Sequence, residues 1–224
     1  MAGLLRFDSP FHRAWSAAAD LVVINGLTLV GCLPVVTAGS ALVACHRVTM
    51  EMAREEDVYT VRSWWRSFRS NLRGSLAWWL PMLALIALAG VELVVLDGRT
   101  GAEPQGSDSR LASGASGLVL AGALLLIGVG CWLLPLVAFF DNSAVKHMGN
   151  AMRLAVGALG RTVLCLAIVA APVALVLVLP GAVGPVAWFM VIIGIGFQAY
   201  LIALVQRGVI DRLRRAASPA PSGS

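Results

Sequence analysis

Apolar residues along this chain gather into runs of similar length, and the polar connections between them are either basic or rich in Gly and Ser. Five runs, over 15–33, 75–96, 118–140, 162–179 and 185–206, each come close to the ~20 residues that a helix needs to cross the hydrocarbon core. A sixth, over 37–55, turns polar after Cys45. The pattern predicts an all-α, polytopic helical bundle in one membrane domain, 1–216, with a disordered tail over 217–224. Six membrane helices are expected, or five if the second is re-entrant. The first two are divided at Leu33-Pro34: Pro34 disfavours helix in the residue before it and lacks an N–H, while Thr37, restarting the pattern with Ala38 and Gly39, reads as an N-cap.

Two connections carry helical periodicity of their own. Over 60–73, Trp64, Phe68 and Leu72 recur at helical spacing beside Trp65, and Arg62, Arg66, Arg69 and Arg73 hold another side. This predicts an interfacial helix with its aromatics at the headgroup boundary and its arginines near anionic lipid. A second such helix is expected over 144–160. An offset of 87 residues pairs Arg66 with Arg153, Leu72 with Leu159 and Ser75 with Thr162, the trace of a parallel internal repeat.

Composition agrees with the pattern. With 58% apolar and 13% charged residues among 224, too little polar surface remains to coat a soluble particle. The net charge of +5 sits between the apolar runs, which makes lipid, and not nucleic acid, the expected partner. The arginines from Arg47 to Arg73 place that connection in the cytoplasm by the positive-inside rule, as do Lys146, Arg153 and Arg161 for a later one and Arg207, Arg212, Arg214 and Arg215 for the C-terminus. Arg6 and Arg13 fit a cytoplasmic N-terminus if the first two helices form a hairpin; with five spans the N-terminus lies outside. The segment 97–116 reads as an external Gly/Ser-rich loop.

Motifs for chemistry give way to plainer readings. Cys32, Cys45, Cys131 and Cys165 sit singly in apolar surroundings without CxxC spacing, and the three histidines form no HExxH, so no metal or cofactor is expected. Leu29-Val30-Gly31-Cys32 resembles a lipobox, but Asp20 interrupts its apolar region. Gly114-Ala115-Ser116-Gly117 matches the GxSG of intramembrane proteases, yet Ser116 is expected at the outer face and His46 and His147 at the inner one, about 30 Å of hydrocarbon away. It reads as a linker, and no enzyme activity is expected. Ala151 to Gly157 keeps the glycine spacing of the ATPase-docking motif of ABC permeases but lacks its acid.

Within the spans, Asn25, Glu92 and Gln198 would be costly facing lipid, so each is expected against another helix or a hydrated cavity.

The N-terminal Gly-Leu-Leu-Arg-Phe, the placing of Asp20 and Asn25, the Cys32 to Leu42 junction CLPVVTAGSAL, the segment WWRSFRSNLRGS and Phe139-Phe140-Asp141-Asn142 together resemble the YesL family of small bacterial multi-pass membrane proteins of unassigned function. Family members often accompany genes for carbohydrate ABC importers and glycoside breakdown. The resemblance therefore implies a bacterial cytoplasmic-membrane location and a non-enzymatic accessory or assembly role in carbohydrate uptake, in contact with importer subunits or with further copies of itself. The alternative is a small solute transporter or channel with a polar path between its helices.

Overall fold

The computed structural model describes residues 10–56, 59–100 and 107–217, and among these there is no strand. The chain runs as α1 (Pro10–Cys32), a 3-10 turn (Val35–Thr37), α2 (Ala38–Ala53), α3 (Thr60–Thr100), α4 (Ser107–Phe139), α5 (Ala144–Gly157), α6 (Leu159–Val178), a second 3-10 turn (Pro180–Ala182), α7 (Val183–Phe189), a π-helical turn (Met190–Gly194) and α8 (Ile195–Ala217). The expected all-α polytopic bundle is the observed fold. Five segments are long and apolar enough to span a bilayer: Ala14–Cys32, Thr60–Val95, Ser116–Phe139, Leu159–Val178 and Pro180–Ala216.

The sixth helix has a different job. At 1.5 Å per residue the 16 residues of α2 reach only about 24 Å, short of the ~30 Å core, and most of them are buried, from Ala38, Gly39 and Ser40 through to Ala53. It is the centre of the molecule. Against α1 it packs Ala41, Ala44, Cys45 and Val48 around Leu21 and Ile24. Along α3 it runs antiparallel, with Glu51 bonded to Ser63, Ser40 to Ser75, and Trp79 Nε1 donating to Val35 O at the turn that precedes α2. Along α8 it runs parallel, Met50 and Ala53 meeting Ala203 and Ile210.

Successive long helices reverse direction. Met82 of α3 lies over Gly130 of α4, Trp132 of α4 bonds Thr162 of α6, and Gln198 and Ile202 of α8 face Ile168 and Cys165 of α6. Because Leu21 and Asn25 of α1 meet Gly196 and Val191 in reverse order, α1 is antiparallel to α8. With α2 counted as the return leg of a hairpin, the start of α1 and the end of α8 therefore point to one face of the bundle.

Several boundaries differ from the sequence reading. The segments 60–73 and 75–96 form the one helix α3, since Gly74 in an otherwise helix-favouring stretch costs only about 1 kcal/mol and packing against α2 holds both halves in line. Helical structure continues to Thr100 and resumes at Ser107, so Gly114 to Gly117 belongs to α4 and is not a linker. The last span begins with a 3-10 turn and contains the π-turn. The N-terminal Gly3 to Phe7 and the tail beyond Ala217 lie outside the described residues.

The junction residues act together. Thr37 stands at the N-cap position of α2 but caps nothing there; its hydroxyl donates instead to Gly31 O at 2.8 Å and Pro34 O at 2.9 Å, closing the end of α1. Pro34 supplies the extended residue between the two helices. Gly39 lies under Trp79, where a Cβ would stand 2.8 Å from the Trp79 Cβ and Cγ.

Ser75 and Thr162, paired at the offset of 87, each use the hydroxyl to tie their helix to an earlier one: Ser75 to Ser40 of α2, and Thr162 to Trp132 of α4. The units differ in that α3 is continuous, whereas α5 and α6 are separated at Ala158.

Candidate functional site

The interior polar residues form a set of clasps, each with a cause in the backbone. The π-turn over Met190–Gly194 interrupts the α-helical ladder, and side-chain bonds reach the Val191 carbonyl within it and the Gly196 N–H just after it. Asn25 fits between them. Fully buried, its Oδ1 accepts from Gly196 N at 3.1 Å while its Nδ2 donates to Val191 O at 2.7 Å and Met190 O at 3.2 Å.

Prolines create the other openings. Pro172 in α6 has no N–H for the carbonyl four residues back, and Gln198 Nε2 donates to that carbonyl, Ile168 O, at 2.9 Å. Pro135 in α4 likewise frees Cys131 O, and the buried Gln206 Nε2 donates to it at 3.1 Å. One helix, α8, thus supplies a glutamine to each of two proline-broken neighbours. Gln206 was absent from the sequence-derived candidates; a proline signals a free carbonyl four residues before it, but only the packing shows what fills it. Pro135→Ala returns an N–H to Cys131 O inside α4. Gln206→Leu is accordingly expected to cost about 1 kcal/mol less in that background than alone, read by a double-mutant cycle of unfolding in micelles. Additive effects would remove the pairing.

Glu92 stands apart from these residues, exposed on the side of α3. The three intramembrane candidates do not converge on one site: Asn25 ties α1 to the π-turn, Gln198 ties α8 to α6, and Glu92 faces outward.

The arginine and aromatic segment divides into two faces. Arg62, Trp65, Arg66, Arg69 and Arg73 are exposed, and Arg69 stacks over Trp65 at 5.6 Å. Trp64 is not at an interface but in the core, at 1% exposure, its Nε1 donating to Thr28 at 3.2 Å and its ring stacked on the half-buried Phe68 at 4.9 Å. Helical spacing put Trp64 and Phe68 on one face correctly; that face meets α1 and α2 and not the headgroups. On α5, His147, Ala151 and Ala155 turn inward while Val145, Met152 and Val156 are exposed beside Lys146 and Arg153, the two-sided arrangement of an interfacial helix. Burial lowers the pKa of His147, opposed by the Asp141 charge and the Asn142 backbone.

At the same end of the bundle, charge gathers where α2 stops. Glu55 takes φ 58° after the helix, and Glu56 N and Glu55 N return to Glu51 O and Met52 O, a Schellman closure that glycine more often makes. Arg54, its side chain 8% exposed, has Nε 2.8 Å from Asp211 Oδ1 but outside hydrogen-bond geometry, so the contact is ionic. Arg47, Arg54 and Arg214 all lie over the Phe139 ring, at 5.2, 4.8 and 5.3 Å. Arg47 also reaches Glu51 and Ala138 O, and Arg207 donates to Ala53 O at 3.0 Å. These contacts lock the ends of α2, α4 and α8. No group of three or more His, Cys, Asp or Glu side chains that could hold a metal occurs among the described residues.

Residues 21–93 match the family model described as a protein of unknown function, DUF624, the family to which YesL belongs. The match spans α1 from Leu21 through most of α3 and holds the Pro34 junction and the WWRSFRSNLRGS segment, so the resemblance is borne out over that part of the chain. Neither the curated proteins nor the solved structures gave a match.

Proposed function

Taking the YesL-family membership of residues 21–93 as premise, we propose that this protein is a non-catalytic accessory subunit of the bacterial cytoplasmic membrane that assembles with an ABC-type carbohydrate importer. The observation that carries the reading is the fate of its interior polar groups. Asn25, Gln198 and Gln206 spend their amide donors on backbone carbonyls of neighbouring helices, and Glu92 faces away from all three. Side chains so engaged join helices. A transport path needs polar groups lined up along one water-filled channel, with hydrogen-bonding capacity left for the solute.

The surface supports an assembly role. The outer face of α5 and the arginine face of α3 leave apolar and basic side chains uncovered at the end where α2 and α8 stop. Positive charge puts that end in the cytoplasm, together with both termini of the helical chain. The carbohydrate importer as partner rests on the family resemblance.

The test combines two measurements on the full chain in mild detergent. Mass spectrometry of affinity-purified protein is expected to recover sugar-permease subunits in stoichiometric amount, and proteoliposomes holding the protein alone are expected to give no solute-dependent flux. Repeated recovery without importer subunits, together with saturable flux of a small solute, would replace the accessory reading with the transporter one.

A further inference from the structure

Where α4, α5 and α8 come together, at the end of the bundle where α2 and α8 stop, lies a surface groove of about 450 Å³. Its lining is divided by chemistry. Leu136 of α4, Phe140 just beyond it, Leu154 of α5 and Leu213 of α8 form buried or half-buried apolar walls, whereas Asn142, Asn150 and Arg153 are exposed and open to a guest. Asn150 and Arg153, three residues apart, share one side of α5.

The charge of the groove is of one sign. No acid lines it, and the ion pairs among the described residues engage Arg47, Arg54 and Arg214, leaving Arg153 without one. Asp141, the acid nearest along the chain, acts on His147, which lies on the buried side of α5. Arg212 and Arg215, exposed next along α8 to the lining Leu213 and Ala216, add to the positive potential.

We propose that this groove binds the headgroup of an anionic phospholipid from the leaflet at that end of the bundle. The phosphate accepts hydrogen bonds from the Arg153 guanidinium, whose forked donors match its oxygens, and from Asn150 Nδ2. The apolar walls take the first carbons of the acyl chains, and the space suits a headgroup with its glycerol, the rest of the chains lying outside. Both halves of the lining select this occupant. A free anion gains nothing from the leucine and phenylalanine walls, and a zwitterionic headgroup brings a cation of its own to Arg153. Basic pockets between membrane helices are the form that headgroup sites take, and α5 already has the two-sided build of a helix at the headgroup boundary.

The experiment places the full chain in phosphatidylcholine vesicles holding a small fraction of phosphatidylglycerol with a diazirine near the start of one acyl chain, and maps the cross-linked peptides by mass spectrometry. Labelling is expected to concentrate on the peptides holding Leu136–Phe140 and Asn150–Leu154. Unlabelled phosphatidylglycerol should displace it about fivefold better than added phosphatidylcholine, the ratio that one arginine at a membrane surface supplies. Inorganic phosphate should not displace it. Arg153→Gln should erase the preference, and Arg66→Gln, on the exposed face of α3, should leave it unchanged. Labels spread evenly over the lipid-exposed helices, equal displacement by the two lipids, displacement by inorganic phosphate, or equal loss with Arg153→Gln and Arg66→Gln, as a diffuse surface field gives, each overturn the assignment. The competition in the unsubstituted protein needs no variant and so stands even if Arg153→Gln fails to fold.

Discussion

Replacing Asn25 with leucine is expected to destabilise the folded bundle by about 3 kcal/mol, since three bonds to backbone groups are lost. Leucine matches the volume and is more apolar, so a hydropathy argument alone would expect it to be neutral or favourable. The opposite follows from the π-turn. Without the amide, Met190 O, Val191 O and Gly196 N–H lose these bonds, and the close approach of α1, which brings Leu21 O to within 2.9 Å of where a Gly196 Cβ would lie, has no bond to hold it. Asn25→Asp keeps the acceptor for Gly196 N–H but sets a carboxylate oxygen against two carbonyls, and is expected to fare no better. Unfolding of the purified protein in micelles checks both; a loss below about 0.5 kcal/mol for Asn25→Leu would show that the π-turn finds its partners elsewhere.

The second large effect is expected at Gly39. A valine there drives its Cβ into the root of the Trp79 side chain and not into a flexible tip, so either α2 or α3 must shift. Overpacking of this kind costs about 1–3 kcal/mol, and here it also threatens the Trp79 Nε1 bond to Val35 O at 2.8 Å, which pins the turn between α1 and α2. We expect about 3 kcal/mol in all. Trp79→Leu offers the matching control: it loses the bond but makes room, so Gly39→Val should cost clearly less in that background. Equal cost in both backgrounds would mean that the clash is relieved elsewhere.

Both residues were visible in the sequence, but not their partners. Asn25 was legible as a polar residue inside a span that must meet another helix, and it does; Gln198 was legible in the same way. Gly39 stood out only as part of a turn, and its contact with Trp79 needed the antiparallel register of α2 and α3. Glu92 carries the same signal as Asn25 and is exposed, because a carboxylate near the end of a long helix can reach the polar boundary unaided. Thr37 fitted an N-cap by type, yet its hydroxyl turns back to Gly31 O at the end of α1 and to Pro34 O in the junction.

The sequence alone determined the solvent of this protein and the class of its fold: long apolar runs with little charge dissolve in lipid, and a backbone in lipid satisfies its own hydrogen bonds by forming helices. It also marked Asn25 and Gln198 as polar residues that must meet another helix or a hydrated cavity, whereas the carbonyls they serve came only with the structure. The tertiary structure decided which apolar faces meet protein and which meet acyl chains. It made the short α2 the core, turned Trp64 and Phe68 inward, and joined 60–73 to the span beyond it. No hydrophobic scale could do this, because a lipid tail and a leucine side chain are equally apolar. Between helices in a membrane the choice falls to close packing and to individual hydrogen bonds, and those exist only once the helices are side by side.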